Sequence, residues 1–222
     1  MASNLSIGNL AVGGSSTSPT NSTGAPEVIL EGTAPLIAFR DESGGTDDYV
    51  VMNADGAFQI KNDTDNSTPL VISNAGNVTL PAQPAFNVNL STAQNDIAKD
   101  GWITVLFDTE RFDQGSNFNT GTYTFTAPVA GRYQLGVSLR LENVDTAANY
   151  YQVEVITSNK SYRHTVDLGG LGSDPTYWSP NISILADMDA SDTAYVNVYQ
   201  HLGTAQTDIN AIESTFSGYL AC

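Results

Sequence analysis

Residues 121–141 read GTYTFTAPVAGRYQLGVSLRL, and the alternation inside that stretch decides the fold. Tyr133, Leu135, Val137, Leu139 and Leu141 fall on one side, while Arg132, Gln134, Ser138 and Arg140 fall on the other. A period of two held this long predicts a strand with one buried face. Just before it, Tyr123 and Phe125 alternate with Thr122, Thr124 and Thr126, which predicts a second strand. Pro128 and Gly131 lie between the two and turn the chain.

The rest of the chain agrees with a sheet protein. Thr, Ser, Asn, Gly and aromatic residues are plentiful, and apolar patterns of helical period are nearly absent, so an all-β fold is expected. The 222 residues suffice for one ordinary domain with a real core plus a smaller piece. The charge is lopsided, with 24 acids against 8 bases and a formal net of −16. Nucleic acid and anionic membrane are polyanions that such a chain repels, so neither is an expected partner. No apolar run approaches the ~20 residues of a spanning helix. The segment from Met1 to Val12 has neither the basic start nor the apolar core of a signal peptide. Cys222 is the only cysteine, so stability must come from burial and assembly rather than disulfides.

Gly121, Tyr123, Phe125, Pro128, Gly131 and Tyr133 resemble the signature of the complement globular-head family, whose folds are similar to the tumour-necrosis-factor jelly roll. Pro84-Ala85-Phe86 resembles that family's opening strand, and the segment from Ser214 to Leu220 its closing one, so the likeness runs over residues 84–221 in the right order. The resemblance implies a ten-strand jelly-roll sandwich that assembles as a homotrimer. It implies no ligand, because function on a shared fold resides in grafted sites.

Three segments are expected. Residues 1–25 form an extended arm, and the Gly/Ser/Thr run from Gly13 to Gly24 offers nothing to bury. Leu5, Ile7, Leu10 and Val12 are the apolar residues with which the arm would dock on another protein; contact within its own trimer is the alternative. Residues 26–83 form a small β-hairpin stalk domain. Short strands are expected at Val28–Leu30 and Leu36–Phe39. Asp48–Met52 turns through Asn53-Ala54-Asp55-Gly56 into Ala57–Ile60, and Pro69–Ile72 turns through Ser73-Asn74-Ala75-Gly76 into Asn77–Leu80. The segments from Gly56 and Gly76 echo each other, with Gly8–Val12 a degenerate third copy; so few copies cannot make a self-sufficient solenoid, though three chains wrapped together would make a stalk. The phrases from Ile37 to Asp41, Tyr49 to Val51, Asp55 to Ile60 and Gly76 to Val78 are similar to segments of tailed-phage fibre and virion surface proteins. Pro81 and Pro84 space a boundary before the head, residues 84–222.

Within the head, Trp102–Phe107, Tyr150–Ile156, Tyr162–Leu168, Trp178–Leu185 and Thr193–His201 are expected strands, and Phe112 and Phe118 are expected to anchor a loop. In the strand at Thr193, Ala194, Val196 and Val198 fit a core face. Tyr195, Asn197 and Tyr199 point the other way and are the candidate trimer contact, since tyrosine joins apolar area to a polar tip.

Catalysis finds no support, and no catalytic or cofactor-binding residue is assigned. His164 and His201 are the only histidines, and neither has a nucleophile elbow or orienting acid beside it in sequence. Acid pairs of the kind that cleave glycosides arise by chance among 24 carboxylates. No metal site is assigned either. Asp63-Thr64-Asp65-Asn66 begins like a calcium loop but lacks its glycine and closing glutamate, and Asp187, Asp189 and Asp192 share a turn. Calcium is the one ion these residues leave open.

Three readings follow. One is a non-enzymatic capsid decoration or cement protein of a tailed phage, on the outer surface of the virion, with its arm on the major capsid protein and its head projecting outward. The second is a tail-fibre or receptor-binding tip for host recognition of a surface glycan. The third is a polysaccharide-cleaving tailspike domain. The absence of a catalytic cluster disfavours the third, and the absence of a long shaft favours the first.

Overall fold

A computed structural model describes residues 11–12, 28–30, 32–40 and 47–222. Among the described residues every regular element is a strand. The chain divides into two compact units, one ending at Ala82 and one running from Gln83 to Cys222.

The first unit holds β1 (Ala11–Val12), β2 (Val28–Ile29), β3 (Leu36–Phe39), β4 (Tyr49–Ala54), β5 (Ala57–Asn62), β6 (Ser67–Ile72) and β7 (Val78–Thr79). β1 and β2 pair with each other, and β3 to β7 form an antiparallel meander in chain order. Asp55 and Gly56 both take positive φ, 52° and 76°, which is the backbone a two-residue hairpin of matching twist requires. Across the meander, Ile37, Val51, Ile60 and Leu70 align in one row. Among the described residues of this meander, Val50 is the only apolar side chain that is fully buried.

The second unit is a two-layer sandwich. It contains β8 (Ala85–Asn89), β9 (Ile103–Thr104), β10 (Thr109–Gln114), β11 (Phe118–Asn119), β12 (Thr124–Thr126), β13 (Gly131–Ser138) and β14 (Leu141–Glu142). It continues with β15 (Ala148–Thr157), β16 (Ser161–Val166), β17 (Tyr177–Trp178), β18 (Asn181–Met188), β19 (Thr193–Leu202), β20 (Asp208–Ile209) and β21 (Thr215–Leu220). One sheet runs β10-β8-β21-β13-β18; the other runs β11-β12-β19-β15-β16, with β9 added to β19. The chain passes repeatedly between the layers, and the result is an all-β jelly roll. The alternation along residues 133–141 holds: Tyr133, Leu135, Val137, Leu139 and Leu141 are all buried.

Aromatic packing fills the space between the sheets. The Phe86 ring lies 4.7 Å from Phe125, 5.3 Å from Phe118 and 5.0 Å from Phe216. Gly218, paired with both Phe86 and Leu135, has no room for a side chain: a Cβ there would come within 2.6 Å of Leu135 Cδ2 and 2.7 Å of Phe86 Cε1. At one end of the core, buried Asp145 accepts N–H groups from Ala147 at 2.8 Å, Ala205 at 2.7 Å and Thr204. The Tyr151 hydroxyl accepts the Asp145 N–H at 2.8 Å and meets the Thr207 hydroxyl at 3.0 Å. Asp145, Tyr151 and Thr207 thereby keep partners, the condition for burying them at all.

Some local expectations are corrected. Of Trp102–Phe107 only Ile103–Thr104 joins a ladder. Val105 and Phe107 are buried all the same; the Val105 N–H still bonds to the Val196 carbonyl, and the Phe107 N–H turns back to the Val105 carbonyl. Phe112 is not an anchor. A register shift between Glu110 and Phe112 leaves it exposed opposite Asn87, in a strand rather than a loop. Phe118 does insert into the core. Tyr123 adopts a positive φ of 61° and belongs to the turn before β12.

Candidate functional site

The sandwich offers two outer faces, and they differ in chemistry. On the β15–β19 layer, Tyr195, Asn197, Tyr199 and His201 stand opposite Ile156, Glu154, Gln152 and Tyr150. The Tyr199 ring lies 5.1 Å from Trp102 and 6.0 Å from Tyr150, and Tyr150 lies 4.7 Å from His201. Asn197 is nearly buried and accepts the Thr104 hydroxyl at 3.0 Å. Glu154 is buried on this outward side because Arg163 lies over it: Nε donates to Oε1 at 2.7 Å, and the guanidinium reaches 5.0 Å from the Trp102 ring centre. A buried carboxylate of this kind stands only when paired.

At the end of the strip, the Asp100 carboxylate accepts the Leu202 N–H at 2.8 Å and lies 2.9 Å from His201 Nδ1. The Leu202 N–H, with help from His201, holds the Asp100 carboxyl below the usual carboxylate range, while burial pushes the Tyr199 phenol up. His201 therefore has an acid partner that the sequence did not reveal, 101 residues away in the chain. His164 lines a depression of about 470 Å³ between the edge strands β16 and β18, with Lys160, Tyr162 and Arg163.

On the opposite layer the outward side chains form three cross-strand rows. Tyr219 stands between Ala85 and Gln134, with Leu185 beyond; Ser217 stands between Asn87 and Gly136, with Ser183 beyond; Thr215 stands between Asn89 and Ser138. No residue of these rows is charged. Phe112, Tyr219 and Leu185 rise from a floor of small residues and are between 52% and 56% exposed. A shallow depression of about 430 Å³ lies among Ala85, Asn87, Phe112, Gly136, Ser217 and Tyr219. Charge returns at both ends of the rows, where Arg132 pairs with Asp187 and Arg140 with Glu142 and Glu213.

Residues 85–221 match the C1q domain. The chain belongs to the C1q domain family. Domains of this family are typically homotrimeric, and they are generally structural or ligand-binding rather than enzymatic. Among solved structures, the C1q head is similar to the globular domain of zebrafish complement 1qA protein, at 15% identity over 63% of this chain and 98% of that one, TM-score 0.45. It is also similar to murine APRIL, at 10% identity over 62% of this chain and 98% of that one, TM-score 0.46. No curated protein matches the chain.

The remaining expected residues fall as follows. Leu5, Ile7 and Leu10 lie outside the described residues. Val12 ends β1, its backbone paired with Val28. Asp65 accepts the Ser67 N–H at 2.8 Å, Asp192 accepts the Asp189 N–H at 2.9 Å and the Asn159 amide at 2.7 Å, and Asp187 is paired with Arg132. These carboxylates serve turns and an ion pair. Among the described residues, no three His, Cys, Asp or Glu converge as metal ligands. The uncharged face escaped sequence reading because Gln134, Ser138, Ser183 and Ser217, taken one at a time, look like ordinary solvent-facing strand residues.

Proposed function

We propose that this protein is a non-enzymatic structural component of a tailed-phage virion, a homotrimeric capsid decoration or cement protein. Its arm, residues 1–25, docks on the major capsid protein through Leu5, Ile7, Leu10 and Val12, and its C1q head projects outward. The observation that carries the assembly is the uncharged face around Tyr219. In a chain of net charge −16, like copies repel over most of their surface, and this face lets them meet without burying charge. It also presents aromatic and aliphatic anchors over small residues, the composition of an interface core. The β19 face already spends Asn197 and Tyr199 on partners within the chain, so we assign the trimer contact to the Tyr219 face. The virion setting is supported by the likeness of the hairpin segments to tailed-phage fibre and virion surface proteins.

Two measurements test this. Tyr219→Asp combined with Leu185→Asp is expected to lower the sedimentation mass from three chains to one, whereas Tyr195→Asp with Tyr199→Asp leaves three. The reverse pattern would return the interface to β19. Deleting residues 1–25 is expected to keep the trimer and abolish binding to particles; binding that survives the deletion sinks the docking role.

A second reading, a fibre or receptor-binding tip for host glycan, is favoured by the strip of Trp102, Tyr199, Tyr150 and His201. Half-exposed rings beside the Asp100 carboxylate and the Arg163 guanidinium suit a sugar, which stacks its C–H face and hydrogen-bonds its rim. Hundreds of copies per particle favour decoration, and a handful at one vertex favour the fibre. Silence of the trimer on an array of host envelope glycans would remove the second reading.

A further inference from the structure

The meander β3 to β7 has an apolar face that is largely exposed among the described residues. Ile37, Phe39, Tyr49, Phe58 and Val78 point to that side and are between 41% and 61% exposed. Val51, Ile60, Leu70 and Ile72 lie among them, half-buried. Lys61 is the only charged residue in the five strands, and its pairing with Val50 puts it on the opposite side. A sheet is stable in water when one face is buried against another layer, and a single layer of short strands is marginal. An exposed apolar patch of this kind marks an interface.

We propose that this face packs against the same face of two other copies, so that three meanders close into one interchain core and none is stable alone. The inference rests on the homotrimer argued above. Its first support is charge. The copies carry −16 each, and an uncharged face is where they approach without repulsion. Its second support is the tether. Residues 80–84 alone join Thr79 to Ala85, and a chain that short spans at most about 20 Å. Once three heads share an axis, the three sheets are held together at an effective concentration on the order of millimolar. Its third support is symmetry: identical faces around a threefold axis close on themselves and leave no open end. Folding of residues 36–79 is then coupled to assembly.

Photo-crosslinking of the full chain tests this. A benzophenone amino acid replaces Phe58, and trimers are prepared from mixed ¹⁴N and ¹⁵N chains. The expected product joins position 58 to residues 36–79 of a chain carrying the other isotope. Products confined to one isotope, products that map elsewhere, or no product would overturn the proposal. Hydrogen exchange supplies the second readout. Ile60→Asp with Leu70→Asp is expected to speed exchange of β4 to β6 on the order of a hundredfold while the mass stays at three chains. Gln59→Asp, on the opposite face, leaves exchange unchanged. Equal exchange in both variants also overturns the proposal. A wild-type mass of one chain would bring down the trimer itself, whereas a trimer with only intrachain products brings down this inference alone.

Discussion

Replacing Phe86 with alanine is expected to destabilise the C1q head by about 3–5 kcal/mol, the usual range for removing a fully buried phenylalanine. The ring touches three others at centroid distances of 4.7 to 5.3 Å, and it also occupies the place a side chain at Gly218 would take. Both losses appear in chemical denaturation of the full chain, compared at one protein concentration because assembly adds to apparent stability. A difference below about 1 kcal/mol would mean that β8 does not close the core. The glycine gives an independent handle. Gly218→Ala alone overpacks the site and is expected to cost about 1–3 kcal/mol. In the Phe86→Ala background the same change costs less, since the methyl group enters the vacated space.

That prediction rests on the part of the fold most legible in the sequence. Tyr133 to Leu141 announced an inner strand of one sheet, and Ala194, Val196 and Val198 announced the central strand of the other, because in each the apolar residues alternate onto the core side. Legibility failed where tertiary context overrode local pattern. The segment Thr109–Gln114 is polar and carries Glu110, Arg111 and Asp113, yet it is an edge strand of the sandwich, where one free side suits charge. Its register shift turned Phe112 outward, which no alternation rule foretells. The outward rows around Tyr219 were invisible for a different reason. Their character is an absence of charge along rows that cross the sheet, and it exists only once the strand order is known.

Asp145→Asn is expected to cost about 2–4 kcal/mol, the sum of weakened charge-assisted hydrogen bonds and stranded donors. The carboxylate faces the N–H groups of Ala147, Thr204 and Ala205. An amide turns its own NH2 toward one of these groups whichever way it is placed. The turn at Gly203 packs tightly against the carboxylate. Gly203 has φ 104°, and a Cβ there would stand 2.6 Å from Asp145 Oδ2.

The pH dependence is specific. Burial alone would raise the Asp145 carboxyl, but the N–H groups of Ala205, Ala147 and Thr204 outweigh it and hold the group below its ordinary value. A folded-state value depressed below the unfolded one, near 3.9, stabilises fully above about pH 4. The contribution fades as pH falls through the folded value. The gap in Tm between wild type and Asp145→Asn is therefore expected to stay constant from about pH 8 to 5 and to narrow below about pH 4. A gap independent of pH down to acid unfolding would show that the carboxylate is not the ionised staple.

β8 and β21 run antiparallel as neighbours, with Ala85 opposite Tyr219. The two ends of the sandwich therefore leave the sheet side by side. A head built this way can be spliced into a surface loop of an unrelated carrier without prying the carrier's loop apart. It can equally be circularised through a short linker and reopened at the exposed Gly169–Gly172 loop, giving a permuted display scaffold whose load is presented on the far side of the molecule.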